Sequence, residues 1–212
     1  MRSFSKFIPQ TTIYRLSLYL RELERLNSKG LTHISSKVLS KKMGVTDAQV
    51  RRDLSYFGKF GKSRVGYNIE KLAKKIRQIL GIDNKTWKVA LIGAGNLGRA
   101  LFSYKGFRER GFLIKAVFDS DPLKIGKDLG GIRVKDVKDL VPTLKKGKFD
   151  IAIIAVPQES AQEVAKALVK ARIRAILNFA PLRLDIPQKT ILRNVDLSME
   201  LESLSFYLSK LR

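Results

Sequence analysis

Apolar residues at Ile13, Leu16, Leu20 and Leu23 recur at steps of three and four, so the chain predicts a helix opening at Pro9 and ending at Lys29-Gly30. A second helix is predicted from Ser35-Ser36, where a serine caps the free amides. It carries Val38, Leu39 and Met43, and Gly44 stops it. The third follows at once, with Thr46 and Gln49 spaced as a capping box and Val50, Leu54 and Phe57 on one face. Two short helices joined by a tight turn at Gly44-Val45 form a helix-turn-helix. The run F-G-K-F-G-K-S-R-V-G-Y (residues 57–67) has the composition of a hairpin wing. Residues 71–82 read as a helical connector, and Asp83-Asn84-Lys85 as a boundary.

Beyond that boundary the pattern changes to short apolar runs alternating with helical periods. Strands are predicted at 88–92, 114–119, near Val134, at 150–155 and at 175–179, with helices at 96–110, 137–145 and 158–171. Near-continuous apolar strands separated by helices define a doubly wound parallel sheet. At the end, Leu197, Leu201, Leu204, Leu208 and Leu211 form a narrow seam suited to packing against a helix, either on its own sheet domain or elsewhere. The expected class is α/β: a winged helix-turn-helix domain (1–82), a Rossmann domain (83–195) and a C-terminal helix (196–212).

Charge adds a partner to this picture. The formal net charge is +23, and residues 1–81 hold 18 Lys+Arg against 5 Asp+Glu. Such a field attracts nucleic acid or anionic lipid, or simply aids solubility, and the local pattern has to choose. On the third helix, the face opposite Val50, Leu54 and Phe57 carries Ala48, Arg52 and Ser55, flanked by Arg51 and Tyr56. A small, cationic, hydrogen-bonding face suits the major groove, where arginine bonds guanine bidentately. Lys62 and Arg64 in the wing are placed to reach phosphates or the minor groove. The sole histidine, His33, reads as a surface loop residue. An RNA-binding reading lacks aromatic stacking platforms in the basic segment.

The stretch A-L-I-G-A-G-N-L-G-R-A-L (residues 90–101) places three glycines at G-x-G-x-x-G between a strand and a helix. Gly93 permits the tight turn, Gly95 lets backbone amides approach a pyrophosphate, and Gly98 lets helix and strand pack closely. Phosphates then sit at the helix N-terminus, on Ala94, Asn96 and Leu97 of the loop. Asp119 ends the second strand about 20 residues on, where a ribose-binding acid belongs, and Lys124 lies nearby. A carboxylate there favours NADH and NAD+ over their 2′-phosphorylated forms. Residues 83–212 contain no His and no Cys, and nothing is spaced as an acid–base pair, so a binding domain is expected rather than an enzyme. The competing reading is a small NAD-dependent oxidoreductase with a basic extension. No metal site is expected without cysteine and with one histidine. No run approaches a membrane span and no secretory signal is apparent, so the expected location is cytoplasmic.

Several runs together resemble the Rex redox-sensing transcriptional repressors. They are V-R-R-D-L-S-Y-F-G-K-F-G (50–61), I-G-A-G-N-L-G-R-A-L, D-x-D-P-x-K-I-G (119–126), A-V-P (155–157), N-F-A-P (178–181) and V-D-L-S-M-E-L-E-S-L-S-F-Y-L. The resemblance implies a homodimer whose winged helices bind inverted-repeat operator DNA and whose second domain binds NADH or NAD+, NADH releasing the DNA. It implies that Ser35, Arg51, Arg52, Ser55, Lys62 and Arg64 face DNA, with Ser36, Thr46, Gln49 and Tyr56 beside them. It implies Val156, Pro157, Phe179, Ala180 and Pro181 near the nicotinamide, and a last helix swapped into the partner. This chain has Leu197 where some family members have phenylalanine. Asp196, Tyr104 and Arg21 are the expected switch, the carboxylate exchanging a phenol for a guanidinium between two states.

Overall fold

The computed structural model describes residues 8–61 and 65–211. The chain divides into two compact units, Met1–Lys85 and Thr86–Arg212.

In the first unit α1 (Gln10–Asn27) packs Leu16, Tyr19, Leu20 and Leu23 inward, with no exposure above 1%. Around it lie α2 (Ser36–Met43), α3 (Asp47–Ser55) and α4 (Ile69–Ile79), contributing Leu39, Val50, Leu54, Ile69, Leu72 and Ile76 to one core. Caps set the helix starts: Ser35 Oγ accepts from the Val38 amide and Thr46 Oγ1 from the Gln49 amide. Gly44, at φ +64°, ends α2 in the left-handed conformation. Asn68 caps α4, which therefore begins at Ile69 rather than at residue 71.

Two departures come from pairings distant in sequence. The segment after α3 returns as β2 (Tyr67–Asn68), which pairs antiparallel with β1 (His33–Ile34), so His33 sits in a short strand and not a loop. Gly66, at φ +83°, permits this approach, since a Cβ there would stand 2.6 Å from the Ile34 carbonyl oxygen. Ile13 and Val38, expected inside, are exposed; Thr12 takes the inward place on α1 because it bonds a carboxylate in the core. That carboxylate is Asp53.

The second unit is a seven-stranded sheet in the order β5-β6-β4-β3-β7-β8-β9. Its strands are β3 (Trp87–Ile92), β4 (Phe112–Asp119), β5 (Asp128–Leu129), β6 (Ile132–Asp136), β7 (Ile151–Ile154), β8 (Ala175–Asn178) and β9 (Ile191–Asn194). All pairings are parallel except β5 with β6. Helices α5 (Asn96–Ser103), α6 (Lys105–Glu109), α7 (Leu140–Gly147) and α8 (Gln158–Lys170) complete the layers. The single helix expected over 96–110 is broken at Tyr104, whose backbone is extended (φ −70°, ψ 105°). Its ring stands 2.7 Å from where a Cβ on Gly106 would be, and packs edge-on against Phe107. The edge strand β9 is an addition to the predicted order.

The last helix, α9 (Leu197–Lys210), has no buried residue. Leu197, Leu201, Leu204 and Leu208 are each more than half exposed. A helix of 14 residues is marginal on its own in water, so such a seam needs a partner surface.

Candidate nucleotide and nucleic-acid sites

Strand order reverses between β3 and β7, since β3 continues to β4 on one side while β7 opens the other. A crevice outside the carboxyl ends of strands forms at such a point. The glycine loop follows β3, Asp119 ends β4, Val156 and Pro157 follow β7, and Phe179 follows β8, so all four segments share that edge.

The three glycines have different causes. Gly93 has φ +102°, and a Cβ there would stand 2.3 Å from the Ala155 carbonyl oxygen, so the loop is seated directly on the A-V-P segment. A Cβ on Gly98 would stand 1.9 Å from the Gly93 carbonyl oxygen, which enforces close helix packing. Gly95, the N-cap of α5, has nothing within 4 Å of its Cβ position and an ordinary φ of −74°. The fold itself therefore does not require glycine at 95, and the missing side chain leaves the face of the loop open to an approaching group. An anion against the free amides of α5 fits that opening, and the loop is suited to a pyrophosphate.

Asp119 is only 8% exposed. Its Oδ2 accepts from the Ala94 amide at 2.7 Å and its Oδ1 from the Asp121 amide at 2.9 Å. It thereby anchors the glycine loop to the end of β4. Lys124 Nζ lies 3.5 Å from Asp119 and 3.2 Å from Asp121. The Asp121 carboxylate holds the Lys124 ammonium above its ordinary range, while the Leu123 amide and then Lys124 hold Asp121 below its own. Val156 and Phe179 are half-buried, Ala180 buried, Pro157 and Pro181 exposed.

On the first unit, α3 presents Arg51, Arg52, Ser55 and Tyr56 outward. Arg51 is oriented by Asp47, at 2.5 Å, and by Ser36 Oγ at 3.4 Å. Arg52 makes no ion pair with any described residue and points its charge to solvent. Ser55 Oγ donates back to the Arg52 carbonyl. Ser35, Ser36, Arg51, Ser55, Lys59 and Tyr67 line one cleft of about 570 Å³ beside this face. Gln49 behaves differently: its amide donates to Asp53 Oδ1 at 2.9 Å, which turns it toward the core. Lys62 and Arg64 lie outside the described residues.

Two functional supports were not anticipated. Asp53 is fully buried and accepts from Thr12 Oγ1, both Nε and Nη2 of Arg15, the Tyr19 hydroxyl and Gln49. It rivets the outward-facing α3 to α1. A charged residue on the Val50–Leu54 apolar face was the available signal. Asn178, also fully buried, clamps the loop after β8; its signal was an amide ending an apolar strand. Of the expected switch residues, Arg21 is exposed on α1, Tyr104 is 58% exposed, and Asp196 caps α9. The Ser198 hydroxyl at 2.6 Å, followed by its amide, holds the Asp196 carboxyl below the usual range. Among the described residues no three His, Cys, Asp or Glu gather as metal ligands, and no helix is long and apolar enough to cross a membrane.

A helix-turn-helix with an outward arginine face, in one chain with a parallel sheet that carries G-x-G-x-x-G between strand and helix, defines the class: a nucleic-acid-binding module coupled to a dinucleotide-binding one. Residues 7–55 match the family described as a putative DNA-binding protein N-terminus, and residues 84–182 the CoA binding domain family. The redox-sensing transcriptional repressor Rex of Carboxydothermus hydrogenoformans is 51% identical, over 94% of this chain and 95% of its own. That of Desulfitobacterium hafniense is 50% identical over 94% of each. The crystal structure of RSP with β-NAD+ and operator DNA superposes with a TM-score of 0.93 at 41% identity, covering 97% of this chain and 94% of the other. RSP with β-NADH superposes at 0.89 with 40% identity, covering 97% and 96%. The chain belongs to the Rex family of redox-sensing transcriptional repressors.

Proposed function

We propose that this chain is a cytoplasmic, homodimeric repressor that binds inverted-repeat operator DNA and releases it when NADH binds, and that it is not an enzyme. The observation carrying this reading is the glycine at 95, needed by no internal packing, in a chain that matches an operator-bound, NAD+-bound relative along 97% of its length. Amides at Asn96 and Leu97, between Gly93 and Gly98, hold the pyrophosphate, while Ala94, whose own amide is taken by Asp119, shapes the loop beneath it. Asp119 and Lys124 face the adenosine ribose, and Val156, Pro157, Phe179, Ala180 and Pro181 border the nicotinamide. When bound, the dinucleotide supplies a ring whose charge and shape differ between oxidised and reduced forms. Arg51, Arg52, Ser55 and Tyr56 enter the major groove, Ser35, Ser36 and Thr46 approach phosphates, Gln49 supports α3, and Lys62 and Arg64 reach the flanking backbone or minor groove. The α9 seam packs on a second copy. Fluorescence anisotropy on duplexes selected from a random inverted-repeat library tests this: saturating NADH lowers affinity and NAD+ does not. Equal affinity with both nucleotides overturns it.

Arg52→Ala and Lys62→Ala should separate reading from anchoring. Loss of a bidentate base contact costs about 1–3 kcal/mol and relaxes sequence preference, whereas loss of a phosphate contact mainly lowers the salt slope. Binding to operator and scrambled duplexes across a salt series measures both. A wild-type operator-to-scrambled ratio for Arg52→Ala removes Arg52 from the reading face.

A ligand shifts an equilibrium only by binding its two states differently, so some contact must change. Asp196 is proposed to exchange Tyr104 for Arg21 across the dimer, leaving its cap on Ser198. Asp196→Ala should remain dimeric and bind NADH, but its operator affinity should respond less to NADH. Unchanged coupling places the latch elsewhere.

A further inference from the structure

Two neighbouring segments of the second unit have different tasks in the reading above. Phe179–Pro181 borders the nicotinamide, and Asn194–Asp196 leads into α9. They are joined by one side chain. Asn178 ends β8 and is fully buried. Its Oδ1 accepts from the Ala180 amide at 3.0 Å, and its Nδ2 lies 3.0 Å from the Ala180 carbonyl oxygen and 3.1 Å from that of Leu182. Because backbone donors and acceptors cannot exchange roles, these partners fix which way the amide faces. Nδ2 also donates to Asn194 Oδ1 at 3.0 Å, across the β8–β9 pair in which Asn178 and Asn194 are in register.

The main chain doubles the link. The Val195 amide donates to the Asn178 carbonyl at 2.8 Å, one residue before Asp196 caps α9. The Phe179 amide donates to the Ile154 carbonyl, beside the A-V-P turn. The loop around the ring and the root of the last helix thus hang on the same buried amide. Asparagine suits this position because it offers donor and acceptor together. Aspartate would face three acceptor oxygens with none to give, and leucine would leave the Ala180 and Leu182 groups without their side-chain partner.

We propose that Asn178, through Asn194, is the positioning residue that couples the nicotinamide-side loop to the base of the C-terminal helix. A shift of the Ala180 backbone moves the amide that holds Asn194, and with it the strand end that carries Asp196. The inference rests on the NADH response proposed above and names where that response crosses the domain.

Asn194 is the variant of choice, since it is exposed on an edge strand and takes no part in the cofactor site. NADH affinity by titration calorimetry and operator affinity with and without saturating NADH are measured for the full-length chain, Asn194→Ala and Asn194→Asp. Asn194→Ala is expected to bind NADH and, without nucleotide, operator as before. The factor by which NADH weakens operator binding should shrink roughly fivefold, the worth of about one hydrogen bond. Asn194→Asp keeps the acceptor for Asn178 and should restore the response, which a merely structural role for the side chain would not predict. An unsubstituted chain that ignores NADH overturns the proposed function. An unsubstituted chain that responds, with Asn194→Ala responding equally, overturns only the coupling through Asn178.

Discussion

Asp53→Ala should unfold the N-terminal unit locally at neutral pH, costing about 3–5 kcal/mol, the range for removing one partner of a buried ion pair. Arg15 Nε and Nη2 both stand 2.6 Å from this carboxylate, and Tyr19 and Thr12 donate to it from the same helix. Without it, a guanidinium that is mostly shielded and a buried phenol lose their acceptor. Burial alone would push the Asp53 carboxyl up, but Arg15, then Tyr19, Gln49 and Thr12 outweigh it and hold it below the usual range. Burial, followed by Asp53, pushes the Tyr19 phenol up, so it stays a donor throughout the neutral range. The unfolded chain binds the proton more readily, so the rivet stabilises fully above the ordinary carboxyl value and is lost as pH falls through the lowered folded one. Amide hydrogen exchange across α1 and α3 measures the effect in the full chain. Operator binding should fail while NADH binding persists. Wild-type protection in Asp53→Ala would mean that the α1–α3 junction is held by apolar packing alone.

Gly95→Val should reduce NADH affinity by about 100-fold or more while leaving the melting temperature unchanged. The Cβ position at 95 is open and its φ is negative, so the folded chain accepts a side chain there. The proposed nucleotide pose does not, because a side chain there would hold the phosphate off the loop amides, whose charge-assisted bonds would be worth about 1.5–3 kcal/mol each. Gly98→Ala supplies the contrast. Its Cβ would fall 1.9 Å from the Gly93 carbonyl oxygen, so it should lower the melting temperature as well. Calorimetric titration beside thermal melting separates the two. Wild-type NADH affinity in Gly95→Val would remove the glycine loop from the nucleotide site.

The helix-turn-helix and the glycine loop were legible because their signals are local. Ser35, Thr46 and Gly44 act on amides and carbonyls within about four residues, which a reader of the chain can count. The same holds for G-x-G-x-x-G between a strand and a helix, and for the acid that ends the next strand. Where local patterns misled, a distant partner had intervened. The inward place on α1 belongs to Thr12 and not Ile13, because Asp53, 41 positions away, needs its hydroxyl. Gln49 completes a capping box by spacing, yet its amide turns to the same carboxylate. The break in the helix over 96–110 is local by contrast: at Tyr104 the backbone turns extended, and the ring lies over Gly106 and edge-on to Phe107.

By itself, then, the sequence determined the three helices of the first unit, the alternation of the main parallel strands with helices, the outward arginines, the glycine loop and the sign of the field around the first unit, since each depends on residues a turn or a strand apart. Tertiary structure decided which polar side chains are buried and what they fasten. The β9 strand exists because β8 offers it a ladder, from Ala175 opposite Ile191 to Asn178 opposite Asn194. Asn178 and Asp53 became hubs only when segments 16 and 41 residues apart met around them. A buried polar group must find partners wherever the folded chain supplies them, and no periodicity along the chain names those partners in advance.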